Sequence, residues 1–125
     1  MRDAETNAIV SKSFAFAIRC VKLRKYLIDE KSEYEMSKQL LRCGTSIGAN
    51  VKEALRGQSR PDFGTKMNIS LKEASESEYW IELLQATEYI TPEQGENLLS
   101  DCRELIKLLT SIVKTTFSKE EERRA

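Results

Sequence analysis

Apolar side chains at Met36, Leu40, Cys43, Ile47, Val51 and Ala54 recur at gaps of four and three, the spacing that lines up along one side of an α-helix. Such a stripe needs other helices to cover it, because helical stability in a protein comes mostly from packing an amphipathic face. The pattern therefore predicts a bundle seam. The same helix carries a second line, Arg42, Ser46, Asn50 and Glu53, turned by about 100° from the first at helical pitch. That is too close to the core edge for a purely solvated face, and it points to a second contact surface.

Three further segments share the helical period. From about Asn7 to Glu30, Phe14, Ile18 and Val21 together with Phe16, Cys20, Leu23 and Leu27 predict a helix with a wide apolar stripe. Ser32-Glu33-Tyr34-Glu35 has the Ser-x-x-Glu form of a capping box and predicts the start of the second helix. Gly57 suits a left-handed cap after that helix. Pro61 and Asp62 open a third, which carries Phe63, Met67, Leu71, Ala74, Ile81 and Gln85 on one side. Thr91-Pro92-Glu93-Gln94 supplies a second box. The fourth helix then presents Leu98, Leu99, Cys102, Leu105, Ile106, Leu109, Ile112 and Val113, with a charged end that frays.

Helices at about 7–30, 33–55, 61–89 and 92–117, joined by short connections, predict an all-α fold over residues 1–125. The expected architecture is a single-domain, antiparallel up-down-up-down four-helix bundle. No alternation of period two, hairpin dipeptide or internal repeat competes with it.

With 40% hydrophobic and 32% charged residues the chain is built like a globular domain. No apolar run approaches the ~18 residues of a spanning helix. No signal-type block follows the first residues, so a cytoplasmic location without membrane partners is expected. Cys20, Cys43 and Cys102 are widely spaced in apolar helical frames and are expected to be reduced core thiols. The chain contains no histidine, which excludes histidine-dependent catalysis and His-ligated zinc. Net charge is zero, yet residues 1–60 hold 12 Lys/Arg against 7 Asp/Glu and residues 61–125 hold 8 against 13. Surpluses of opposite sign in the two halves suit complementary faces that meet when copies of the chain assemble.

On the third helix Ile69, Glu73, Glu76, Trp80, Leu83 and Thr87 form a line away from the core, mixing apolar groups with carboxylates. It is a plausible complement to the Arg42, Ser46, Asn50 and Glu53 line. The two can meet inside one bundle, with Arg42 or Asn50 satisfying Glu73 or Glu78, or between subunits, or around a ligand. Glu78 projects near Leu71, Ala74 and Ile81, but the di-iron sites of bundle proteins need histidines that this chain lacks. Gly44-x-x-x-Gly48 permits close approach of a neighbouring helix. Lys12, Arg19, Lys22, Arg24 and Lys25 form a basic group that could track phosphates or simply be solvated.

The run from Gln39 to Ala54, followed by Ser59-Arg60-Pro61-Asp62-Phe63 and by Lys72 to Ile81, resembles the four-helix bundle proteins encoded by intervening sequences of bacterial 23S rRNA genes. The resemblance extends over about Ser13 to Val113. It implies a cytoplasmic bacterial bundle that assembles into a five-membered ring or barrel. It also implies similarity in fold to the accessory variability-determinant proteins of diversity-generating retroelements, which use a basic pentameric surface to bind nucleic acid and a reverse transcriptase. Carried over by position, Arg42, Ser46, Asn50, Glu53, Glu73, Glu76 and Trp80 are the motif residues, without assigned chemistry. This chain departs from those basic proteins in its net charge of zero. The expected function is a non-enzymatic homopentamer with no cofactor, an accessory factor for RNA or for a nucleic-acid-processing protein. The alternative is a protein-interaction scaffold that binds no nucleic acid.

Overall fold

A computed structural model describes residues 3–124. Four helices follow in order: α1 (Ala4–Lys31), α2 (Glu35–Ala54), α3 (Arg60–Ala86) and α4 (Pro92–Arg124). No strand occurs among the described residues. Each helix packs on its sequence neighbours, and α4 closes the bundle against α1. The pairings run in opposite directions throughout. Arg42 meets Glu76 while Glu53 meets Lys66, so α2 and α3 are antiparallel. Lys12 meets Glu104 while Arg19 meets Asp101, which makes α1 and α4 antiparallel as well.

The helix boundaries follow from where free backbone N–H and C=O groups find partners. At α1, the Asp3 carboxylate accepts from Thr6 N–H at 2.8 Å. The connection to α2 differs from the expected Ser-x-x-Glu box. Ser32 takes a left-handed conformation, φ 51°, as the cap that ends α1, and Glu33 N–H donates back to Leu27 C=O at 2.9 Å. Ser32 is therefore unavailable to start α2. The buried Glu33 carboxylate serves instead, accepting N–H bonds from Glu35, Met36 and Ser37 at 3.0, 2.9 and 2.7 Å. Gly57 also departs from expectation, since no glycine among the described residues has positive φ. α2 closes without a left-handed turn, through Leu55 N–H to Val51 C=O and Gly57 N–H to Ala54 C=O.

Ser59 caps α3, accepting from Asp62 N–H at 3.2 Å, with Pro61 in the first turn. The Thr91/Gln94 box forms reciprocally, at 2.9 and 3.1 Å. α3 stops at Ala86, earlier than the pattern suggests, and α4 continues to Arg124, well past residue 117.

The core is built from the expected α2 stripe, with Leu40, Cys43, Ile47, Val51 and Ala54 buried. Ile9, Phe16, Cys20 and Leu27 face it from α1, Met67, Ala74, Ile81 and Leu84 from α3, and Leu98 through Ile112 from α4. Gly44 and Gly48 let α1 settle closely on α2. A Cβ on Gly44 would overlap Cys20 Sγ, and one on Gly48 would stand 3.3 Å from Ser13 Oγ. One apolar line of α1 is not core. Phe14, Ile18 and Val21 are 70, 41 and 38% exposed, because Phe16, Cys20 and Leu27 take the inward direction. No described helix is long and apolar enough to cross a membrane.

Candidate functional site

The two polar lines meet inside one chain. Antiparallel packing of α2 on α3 brings Arg42 between Glu73, at 3.4 Å, and Glu76. Glu76 Oε2 also accepts from Trp80 Nε1–H at 2.9 Å. Trp80 stands edge-on to Tyr79 with ring centroids 5.1 Å apart. Gln39 Oε1 accepts from Arg42 Nε–H at 3.3 Å, which fixes the guanidinium from its own helix. The Trp80 hydrogen bond, then the Arg42 bond and charge, hold the Glu76 carboxyl below its ordinary range. Arg42 is correspondingly raised by its hydrogen bond to Glu76. Half of the Arg42 side chain remains exposed, so solvent screening leaves this network a modest contribution to stability. Its chief effect is positional, a charged clamp that fixes the register of α2 on α3.

The other members of the α2 line are tied to backbone or to a single cation. Ser46 Oγ donates to Arg42 C=O at 2.8 Å and Asn50 Nδ2 donates to Ser46 C=O at 2.9 Å. Glu53 accepts from Lys66 at 3.3 Å. Glu78 turns away from this group to α4, where Arg103 Nε donates to it at 2.9 Å. Arg103 also stands 3.8 Å from Glu82 and 3.9 Å from Glu96, a hub that the helical periodicity does not single out. One sign of it was present in the sequence: Arg103 is the lone cation between Glu73 and Glu104, among nine acids.

Beneath the clamp lie three free, buried thiols. Ser77 Oγ donates to Cys43 Sγ at 3.2 Å, and Cys102 Sγ donates to Ala74 C=O at 3.3 Å. Burial pushes the Cys102 thiol up to about 12, and raises Cys20 and Cys43 as well. These groups stay protonated and act as small core residues. Among the described residues no group of three or more His, Cys, Asp or Glu side chains stands where it could hold a metal ion.

The basic group of α1 divides. Lys12 pairs with Glu104 at 3.2 Å, and Arg19 bridges Asp101 at 2.5 Å and Asn97 at 2.8 Å. Arg24 is half-buried, its Nε without a hydrogen-bond partner among the described residues. Lys22 and Lys25 remain exposed, beside the Phe14, Ile18 and Val21 line. Acids of α4 thus engage two of the five residues of that basic group.

The family description that matches this chain is 23S rRNA-intervening sequence protein, over residues 5–111. The chain belongs to that family. Its α2 and α3 motif residues all lie within the matched span, whereas the last turns of α4 lie beyond it. A solved structure of a protein of unknown function from the S23 ribosomal protein family of Bacteroides thetaiotaomicron VPI-5482 is 56% identical. The match covers 88% of this chain and 98% of that one, with a TM-score of 0.87. No curated protein matches. Within this 23S rRNA-intervening sequence protein, then, four of the motif residues, Arg42, Glu73, Glu76 and Trp80, form an intramolecular clamp.

Proposed function

We propose that this family member is a non-enzymatic cytoplasmic bundle that assembles with copies of itself into a pentameric ring and serves as an accessory factor for RNA or a nucleic-acid-processing protein. The observation that carries the assembly is the exposed line Phe14, Ile18 and Val21 on an otherwise regular helix. Full burial of a large apolar side chain stabilises by about 1.5–3 kcal/mol. Three such groups, each partly exposed, are worth a few kcal/mol at each contact on that scale. Charge supports a head-to-tail arrangement, in which one surface meets a different surface on the next copy. Residues 6–28 and 36–52 contain no acid, while the segment from Glu73 to Glu104 is strongly acidic.

Lys22 and Lys25 flank the apolar line, and a ring repeats that pair on every subunit. Multiplication of a small basic patch in this way supports phosphate contact despite a net charge of zero. The engagement of Lys12 and Arg19 by α4 favours the second reading, a protein-interaction scaffold that binds no nucleic acid. Light scattering combined with RNA retention across a salt series separates these outcomes. The proposal expects a pentamer mass, its loss in Phe14→Glu, and RNA retention that falls steeply with salt. A monomer at tens of micromolar overturns the assembly, and a pentamer that retains no RNA at low salt leaves the scaffold reading.

A further inference from the structure

Among the described residues α1 and α3 each pack on α2 and α4, and not directly on one another. They stand diagonally across the bundle, so their outer surfaces point away from each other within one chain. On α1, Lys12 and Arg19 reach α4 while Ser13 and Cys20 abut α2. Phe14 and Val21 come next around the helix, on the outer flank beside α2, with Ile18 between them. Lys22 and Lys25 follow Ile18 and Val21 by one turn and are exposed. The helices on either side of this flank carry no acid over residues 6–28 and 36–52. A surface that covers it must bring apolar side chains, and negative charge suits it best.

The second half of α3 has that chemistry. The segment from Glu73 to Glu88 contains five Glu and no Lys or Arg. Arg42 reaches it from α2 and Arg103 from α4, two cations against five carboxylates, so the balance stays negative. Apolar groups lie among those acids. Tyr79 is 56% exposed and Ile69 36%, and Trp80 and Leu83 are half-buried beside them. Ile69, Glu76, Trp80 and Leu83 are spaced to share one side of the helix, the side on which Glu76 meets Arg42.

We propose that the Phe14, Ile18 and Val21 flank of one copy docks on the Ile69, Tyr79 and Leu83 flank of α3 in another copy, with Lys22 and Lys25 set toward its glutamates. The inference rests on the self-assembly proposed above and assigns the second of the two surfaces. Because the two flanks differ, each chain uses one to give and the other to receive. A copy with a spoiled α1 flank still offers an intact α3 flank, and the reverse holds for a copy spoiled on α3.

The test is light scattering on the full chain, with Phe14→Glu, Tyr79→Lys and an equimolar mixture of the two, at hundreds of micromolar. Tyr79 is exposed enough for its replacement to leave the helical circular dichroism intact, and Tyr79→Ala takes its place if Tyr79→Lys does not fold. Each variant alone should assemble at least tenfold more weakly than the parent. The mixture should form a species of two chains, since one intact flank of each kind remains, one on each partner. A parent that stays monomeric removes the assembly reading and this inference with it. If the parent assembles and folded Tyr79→Lys assembles equally well, or if both variants are monomers and their mixture gives no two-chain species, the pairing of α1 with α3 is overturned while self-assembly stands.

Discussion

Replacing Gly44 with alanine tests how closely α1 and α2 are packed. The added methyl would overlap Cys20 Sγ, and it would also lie 3.3 Å from Cys20 Cβ and 3.5 Å from Phe16 Cε2. Both neighbours are 1% exposed and enclosed by core, so neither can swing into solvent. Overpacking costs about 1–3 kcal/mol, and an overlap with an enclosed sulfur places this one at the upper end, about 2–3 kcal/mol. The better helix propensity of alanine returns about 1 kcal/mol of that. The expected net loss is about 1–2 kcal/mol, which for a urea dependence of 1–3 kcal/mol per molar is a midpoint shift on the order of 1 M.

Gly48 provides the control, because a methyl there would come no closer than 3.3 Å to Ser13 Oγ, with the Ser13 backbone at 3.6 Å. Gly48→Ala should be neutral or slightly stabilising. Urea unfolding at one fixed protein concentration, followed by circular dichroism and Trp80 fluorescence, measures both variants and keeps any assembly contribution constant. Cys20→Ala completes a double-mutant cycle. Alone it leaves a cavity and destabilises, whereas in the Gly44→Ala background it removes the clashing sulfur and should cost much less. Gly44→Ala as stable as the parent, or a cycle with no coupling, would refute the close-packing account.

Glu76 gives a pH prediction with a definite sign. Its folded carboxyl lies below the ordinary 4.5, so its contribution is present above that value and lost as pH falls through the lower folded one. Carbon-detected NMR titration should show Trp80→Phe moving Glu76 back toward 4.5; an unchanged titration would remove the indole as the leading cause. The cysteines give a reactivity prediction. Cys20, Cys43 and Cys102 are buried and their thiols raised, so a disulfide reagent at pH 8 should modify none of them in the folded protein and all three in guanidinium. Reaction of any one at the rate of a free thiol in the native state would contradict the packing described for that residue.

The features legible in the sequence are those decided by local geometry. The α2 core stripe and the Thr91/Gln94 box depend on spacing along one helix, and both have the structure that the spacing predicts. The start of α2 depended on more. Ser32 and Glu33 both offer oxygen to free N–H groups, but the connection is so short that Ser32 must also end α1, and its left-handed backbone leaves capping to Glu33.

The complement between the α2 and α3 lines was visible as chemistry, Arg42 against Glu73 and Glu76, though a neighbouring chain could have supplied the same groups. Antiparallel register brings them together within one bundle, since a short connection sets Glu53 opposite Lys66 and carries Arg42 to Glu76. α1 was ambiguous for a different reason. It has apolar side chains on two faces, and periodicity cannot choose between Phe14, Ile18, Val21 and Phe16, Cys20, Leu27. Gly44 and Gly48 decide the matter by admitting Cys20 and Ser13 to the surface of α2, which turns Phe14 outward. An amphipathic helix needs one apolar stripe to enter a bundle. With two, α1 carries more apolar surface than a single bundle covers, so the residues that made the helix hard to orient from sequence are the ones whose burial would stabilise contact with another molecule.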